Sequence, residues 1–260
     1  MLPQSCGDPM SDTLKAKLHA REPLVGTWLK TPSPMVCEVL GSTDLDLVCI
    51  DAEHSPFDRQ VQDQCLHALQ AASMPALVRV PAARHELVLN ALDCGATGVV
   101  VPHVISADMA REVVAMSHFG AGGRGYAGST RAAAYTRKPM AQHLRDSKDN
   151  TVVVVQIEDI EAVDAIESIA AVEGIDCLFI GRIDLTVALG AASPADPAVV
   201  EAVERICSAG VDAGVPVGMF LGDLSELDHW KEQGASLFLL SSDHGFLLQG
   251  AASLVSRFRE

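Results

Sequence analysis

Aromatic side chains are scarce, 4% of 260 residues. A core built from this chain must therefore rest on Ala, Val, Leu and Ile rather than on stacked rings. Basic residues are also in short supply. Nineteen Lys plus Arg against 34 Asp plus Glu leave a formal charge of −15, which argues against nucleic acid or an anionic membrane as the main partner. A local basic pocket remains open. No apolar run reaches the ~18–20 residues of a membrane span. The 7 cysteines form no CxxC and no zinc spacing. Their odd number and their scatter through apolar runs suit reduced, mostly buried thiols, and the expected location is the cytoplasm. Disorder is excluded by 48% hydrophobic and 20% charged residues.

At ~150 residues per domain the length allows one large domain or two small ones, and one domain of this size buries ~70–75% of the surface its unfolded chain exposes. Residues 1–12 lack a signal-peptide core and read as a loose tail in which Met10 is a second candidate start. Residues 13–260 read as one domain. Eight apolar runs lie at 24–29, 45–50, 76–80, 97–101, 151–157, 176–180, 215–221 and 236–240. Near-continuous apolar strands alternating with helical stretches indicate a parallel sheet covered on both faces. Helices are expected over Pro34–Gly41, Asp58–Ala72, Arg84–Cys94, Ala107–Ser117, Ile160–Ala171, Pro197–Ala213 and Leu224–Gln233. Eight such units in this length match a (β/α)8 (TIM) barrel, α/β in class. A doubly wound sheet is the alternative, but "KTPSP" after the first run is no phosphate fingerprint. Residues 118–150 break the rhythm, and "GAGGRGYAG" within them follows no strand. That stretch reads as a mobile functional loop carrying Arg124 and Arg131.

In a barrel of this type the chemistry sits at the C-terminal ends of the strands. Those ends carry Asp51, Glu53 and His54, then Arg79, then Pro102 and His103, then Gln156, Glu158 and Asp159, then Arg182 and Asp184, and finally Asp243 and His244. Two carboxylates after consecutive strands, Glu158 and Asp184, suit a hard divalent cation with oxygen ligands. Both also open helical stretches, so helix capping is the competing reading of the same residues. His54 with acids at −1 and −3 can serve as a general base near neutral pH, or can simply brace its loop. Arg79 inside an apolar strand is costly unless it meets an anion or a carboxylate.

The stretches "VGTWLKTPSP", "DLDLVCIDAEHSPFD", "PALVRVP", "GVVVPHV", "GGRGYAG", "VVVQIED" and "VEGIDCLFIGRIDLT" resemble the HpcH/HpaI aldolases, from about Leu24 to Leu248. These are metal-dependent (class II) pyruvate aldolases of the 2-dehydro-3-deoxyglucarate and 4-hydroxy-2-oxoheptanedioate type. The resemblance implies a (β/α)8 barrel with an exchanged C-terminal helix, assembled as a trimer of dimers. It implies Glu158 and Asp184 as ligands of Mg²⁺ or Mn²⁺, with Co²⁺ also compatible, and Gln156 in the outer shell of the metal. Arg79 would contact the pyruvate carbonyl oxygen, and His54, with Asp51 and Asp93 near it, would serve acid/base chemistry. The substrates would be a 2-oxo acid and an aldehyde, with catabolism of aromatic or sugar acids as the setting.

The chain departs from that pattern at Arg182-Ile183, where many members have Pro-Ala. The resemblance implies that this loop, with Asp184, lies beside the substrate carboxylate, so the departure bears on recognition of the carboxylate and the acceptor. Lys30 and Ser241 also replace smaller residues of some members. Three alternatives follow. A Schiff-base aldolase would need Lys30, the one lysine near a strand end. A lyase acting on malyl- or citramalyl-type CoA thioesters would keep the barrel. A non-catalytic binding protein would keep the pocket and show no metal-dependent turnover.

Overall fold

The computed structural model describes residues 13–260. The expected loose tail over 1–12 lies outside the described residues. Eight parallel strands close in sequence order into a barrel: β1 (Leu24–Leu29), β2 (Leu47–Asp51), β3 (Ala76–Arg79), β4 (Gly98–Val101), β5 (Val152–Ile157), β6 (Cys177–Ile180), β7 (Val217–Leu221) and β8 (Ala235–Ser242). The strands are apolar on both faces because both are covered, and β2, β3, β4, β5 and β6 are buried throughout.

Alternation of side chains along each strand separates two layers of core. Leu24, Trp28, Leu47, Cys49, Leu77, Val154, Phe179 and Leu239 pack with one another inside the barrel, while Val48, Ile50, Val78, Val153, Leu178 and Phe238 pack outward against helices. With few rings available, one edge-on pair carries much of the interior: Trp28 and Phe179, centroids 5.8 Å apart. Gly26 is small by necessity, since a Cβ there would lie 2.8 Å from both Leu47 and Leu239. Helix α1 (Leu14–His19) closes the N-terminal end of the barrel with Leu14 and Leu18. It is fastened by Lys15 to the Thr151 carbonyl at 3.0 Å and by His19 to Asp176 at 2.7 Å.

The other helices are α2 (Pro34–Leu40), α3 (Arg59–Ala71), α4 (His85–Asp93), α5 (Ala107–Ser117), α6 (Met140–Asn150), α7 (Ile160–Asp164), α8 (Ile166–Ala170), α9 (Arg182–Ala188), α10 (Pro197–Ala213), α11 (Leu227–Glu232, after a 3-10 turn at Leu224–Glu226) and α12 (Asp243–Arg259). Asp58, Ser106 and Asp196 cap α3, α5 and α10 through their side chains. The single helix expected over Ile160–Ala171 is two, broken at Ala165, and Ile160 is left 40% exposed while Ile166 and Ile169 are buried.

The largest correction concerns residues 118–150. They contain α6, and they lie between the end of α5 and the start of β5, at the N-terminal end of the barrel. Arg124 is buried there on Asp93, and Arg131 binds both oxygens of Asp63 at 2.8 and 2.9 Å. The two arginines expected on a mobile functional loop are instead tied down, Arg124 to Asp93 of α4 and Arg131 to Asp63 of α3. Among the described residues no helix is long and apolar enough to cross a membrane.

Candidate active site

The strand ends define a cavity of about 780 Å³ at the C-terminal rim, within the size range of small-molecule sites. Trp28, Lys30, His54, Arg79, Gln156 and Phe179 line its inner part. The segments after β6 and β7, with the end of β8, form its outer wall through Gly181–Asp184, Ser193–Ala195, Asp223, Ser225, Glu226 and Ser241.

Register builds the centre. Asp51 and Arg79 are partners across β2 and β3, so both side chains point inward at the same level. Asp51 is fully buried. It accepts from Arg79 Nε at 3.0 Å, Lys30 Nζ at 2.6 Å and the His54 backbone N–H at 3.1 Å, and Arg79 NH2 approaches it at 2.8 Å. Burial works against this carboxylate, but Arg79, Lys30 and the His54 N–H outweigh it and hold its pKa below the ordinary value. Asp51 therefore fixes Arg79, Lys30 and the loop of His54; it meets the His54 backbone and leaves the imidazole to Glu53. Arg79 also lies with its guanidinium carbon 4.3 Å from the Trp28 ring centroid and its Nε 3.3 Å from Glu53. The strand arginine thus has the carboxylates and the ring that its burial requires.

The His54 imidazole is open to the cavity, with Nε2 3.6 Å from Glu53 Oε2. Burial pushes the Glu53 carboxyl up, and Arg79, His54 and His103 only partly oppose it. Asp93, expected beside His54, ends α4 at the other end of the barrel and is bound to Arg124 at 2.5 Å. The helix returns the chain to the N-terminal rim, so nothing within one chain brings Asp93 to this cavity.

Glu158 follows β5 and is 3% exposed. One oxygen accepts from the His103 N–H at 3.0 Å and the other from Gln156 Nε2 at 2.5 Å. Burial raises its pKa; the two N–H donors oppose the rise and the charge of Asp184 adds to it. Gly181 passes so close that a Cβ there would stand 2.6 Å from Glu158 Oε2. Asp184, in the first turn of α9, is exposed and lines the cavity. The Gln156 side-chain oxygen is buried with no partner. A buried carboxylate whose charge is penalised, an unpartnered amide oxygen and a second carboxylate nearby form an all-oxygen donor set that fits a hard divalent cation.

A tighter group of possible ligand atoms, within 4.8 Å of one another, joins Glu158 to His103 and Asp159 rather than to Asp184. His103 has φ +56°, and its Nδ1 sits 3.0 Å from Asp159. Burial works against its imidazolium, but Asp159, Glu158 and Glu53 outweigh that and raise its pKa.

Arg182 departs most from expectation. Its guanidinium faces Glu226, with NH1 at 2.7 Å and NH2 at 3.2 Å, stacks 5.1 Å from the Trp230 centroid, and reaches the Pro194 carbonyl at 3.4 Å. It is part of the wall, held by a carboxylate 44 residues later, and is not presented to a ligand. Ile183 is 56% exposed at the cavity lining. Glu226, in a short surface turn, is the site residue that the sequence did not single out. Asp243 and Lys30 stood out as strand-end residues but without these roles: Asp243 holds the Lys30 and Thr31 N–H groups at 2.7 and 2.9 Å, and Lys30 is a counter-ion to Asp51.

A closed eight-stranded parallel barrel with its polar residues gathered at the C-terminal rim is the layout of a TIM-barrel enzyme. The HpcH/HpaI aldolase/citrate lyase family profile matches residues 24–249. The chain is 33% identical over 257 residues to a hydroxypyruvate/pyruvate aldolase of Paraburkholderia phytofirmans, covering 96% of this chain and 98% of that one. It is 31% identical to a 5-keto-4-deoxy-D-glucarate aldolase of Shigella boydii, covering 95% and 96%. A solved HpcH/HpaI aldolase/citrate lyase family protein from Burkholderia cenocepacia superposes with a TM-score of 0.90 at 37% identity, covering 95% and 99%. The chain belongs to the HpcH/HpaI aldolase/citrate lyase family. It is a carbon–carbon lyase, an aldolase of that family.

Proposed function

We propose that this enzyme reversibly cleaves a 4-hydroxy-2-oxo acid to pyruvate and an aldehyde, with a divalent cation as cofactor. The observation that carries the reading is the buried Glu158–Gln156 pair with its unpartnered amide oxygen, on the strand next to the wall that bears Asp184. Glu158 and Asp184 would hold Mg²⁺, Mn²⁺ or Co²⁺, with Gln156 behind them. Such a cation supplies Lewis acidity to a chelating 2-oxo acid.

The chain's own groups do the rest. Arg79, fixed by Asp51 and Trp28, directs its guanidinium toward the 2-oxo oxygen, where negative charge develops as a C3 proton leaves. His54, exposed beside Glu53, takes and returns the proton at C3 or at the C4 hydroxyl. Asp51 orients both through its four contacts. The Schiff-base alternative gains nothing, because Lys30 Nζ is held on Asp51 at 2.6 Å, and an ammonium so engaged offers no lone pair to a carbonyl.

The active form is proposed to be a homo-oligomer, a trimer of dimers. Helix α12 supports this: apart from Asp243 at its start none of it is buried, and Leu248, Leu254 and Phe258 are 73%, 68% and 91% exposed. Apolar surface of that extent on one helix suits a neighbouring copy. The buried thiols of Cys37, Cys49, Cys65, Cys177 and Cys207 suit the cytoplasm.

A lactate dehydrogenase-coupled assay over a panel of 4-hydroxy-2-oxo acids, with and without chelator, tests the activity. Pyruvate release that stops with chelator and returns with Mg²⁺ or Mn²⁺ is expected; full activity after exhaustive EDTA treatment would overturn the metal assignment. Turnover confined to CoA thioesters would favour the thioester lyase. Calorimetric titration with Mn²⁺ separates the two ligand sets, since Glu158→Gln and Asp184→Asn should lose binding while Asp159→Asn keeps it. Sedimentation of the intact chain reads its assembly, and a monomer at micromolar concentration would refute the oligomer.

A further inference from the structure

The outer wall of the cavity has a charge pattern with a consequence for the second substrate. Every cation that lines the cavity is matched by a carboxylate: Lys30 and Arg79 by Asp51, and Arg182 by Glu226. The Arg182–Glu226 pair is two-pronged and braced on Trp230, and Arg182 is 8% exposed, so its charge is neutralised where it stands. Asp223, beside this pair, accepts from the Ser225 N–H at 2.9 Å and from the Ser225 side chain, and forms no ion pair among the described residues. Apart from Asp184, the remaining polar side chains on the wall are the hydroxyls of Ser193, Ser225, Ser241 and Ser242. Ser241 is held at φ +54° at the end of β8.

We infer that the aldehyde partner is a neutral, hydroxylated aldehyde, and that Glu226 determines this by cancelling Arg182. The inference rests on the aldolase reading above and specifies its acceptor. An aldehyde bearing its own carboxylate would enter a wall with no uncommitted cation and with Asp223 already negative, and would lose hydration without gaining a counter-charge. A hydroxylated aldehyde finds donors and acceptors in the serines and further acceptors in the Asp223 oxygens. A purely apolar aldehyde leaves those groups unpaired. Glu226 acts on the substrate through Arg182 and is a specificity-determining residue, outside the proton chemistry at His54.

The test is aldol addition by the intact enzyme loaded with Mg²⁺ and pyruvate, followed by pyruvate consumption. The acceptors are glycolaldehyde and glyceraldehyde (neutral, hydroxylated), glyoxylate and succinic semialdehyde (anionic), and propanal (neutral, apolar). Wild type should favour the hydroxylated pair over the anionic pair in kcat/KM by about tenfold or more, the ratio that ~1.4 kcal/mol of discrimination gives. Glu226→Gln, which leaves a hydrogen-bonding amide but no charge against Arg182, should move that ratio toward the anionic acceptors by a similar factor. Asp223→Asn, an exposed change, should move it the same way by less. Exchange of pyruvate C3 protons into D₂O, followed by NMR, is measured in parallel as a readout independent of any acceptor.

A wild-type preference for anionic acceptors, equal use of propanal and glycolaldehyde, or an unchanged ratio in both variants would overturn the inference while exchange continues. If Glu226→Gln fails to fold, the wild-type ratio and Asp223→Asn decide. Absence of exchange together with absence of addition would bring down the aldolase reading and this inference with it.

Discussion

Asp51→Asn is the most informative single change, because the carboxylate it removes is fully buried and has two cations on it. The amide is nearly the same size, so the perturbation is electrostatic. Arg79, itself 6% exposed, would lose its main counter-charge inside the barrel mouth. Breaking a buried ion pair by removing one partner costs ~3–5 kcal/mol. Two features lower that here: Lys30 is 29% exposed and regains water, and Glu53 still reaches Arg79 at 3.3 Å. The expected loss is about 2–4 kcal/mol, which at ~2–4 °C per kcal/mol for a chain of this size lowers Tm by roughly 4–16 °C.

The assay is thermal unfolding by circular dichroism at one fixed protein concentration, since assembly would otherwise move the midpoint. Adding Lys30→Met to Asp51→Asn removes one of the two stranded cations and should recover part of the loss. The pH dependence has a definite sign. The native pKa of Asp51 is depressed, so its contribution is present above the unfolded value of ~3.9 and fades as pH falls through the native one. The gap between wild type and variant should hold from neutrality to about pH 4 and close below it. A Tm drop under ~2 °C, or a gap that widens in acid, would refute the electrostatic role.

Arg79→Lys should lower kcat by ~10²-fold or more, because an ammonium cannot reproduce the planar fork that meets Asp51 and the developing oxyanion together; near-wild-type kinetics would count against the assignment. His54→Ala should slow both pyruvate C3 exchange and aldol cleavage while leaving calorimetric Mn²⁺ binding intact, and wild-type rates of both reactions would place the base elsewhere. Gly181→Ala forces a methyl group to within 2.6 Å of Glu158, so Mn²⁺ affinity should fall before Tm does. In acid, His143 matters. It is 3% exposed between Phe119 and Tyr126 with neither ring nitrogen partnered, and burial, aided by Lys138 and Arg124, lowers its pKa. The unfolded chain then binds the extra proton below ~6.5, so stability falls as pH drops from ~6.5, by at most ~1.4 kcal/mol per pH unit; His143→Phe should flatten that slope in denaturant titrations, and an unchanged slope would refute it.

Local pattern alone determined the barrel. Each strand is buried on both faces, so each announces itself as an apolar run, and each run matches a strand to within a few residues. The helices that bury a regular stripe, such as α3, α5 and α10, were equally legible. Those that bury little were not. Helix α6 buries only His143 and Ser147 and is mostly polar. Helix α12 has apolar residues at helical spacing, Leu247, Leu254 and Phe258, but they are exposed and within the chain it buries only Asp243, so it stood outside the strand-helix rhythm of the barrel. The residue types at the rim were legible too, because strand ends are where a barrel's polar side chains converge.

Only the tertiary structure decided what each of those side chains does. Whether Arg182 meets a ligand or a carboxylate depends on Glu226, which lies 44 residues away in a different loop. The resemblance puts Asp93 beside His54, but helix α4 carries the chain back along the barrel and leaves Asp93 at the other end, where it pairs with Arg124. Lys30 reads as a free amine until the β1–β2 neighbourhood places Asp51 against it. Periodicity is a property of neighbours along the chain and survives in the sequence. Charge pairing is set by distances of a few ångströms between residues far apart in the chain, and these exist only once the barrel has closed.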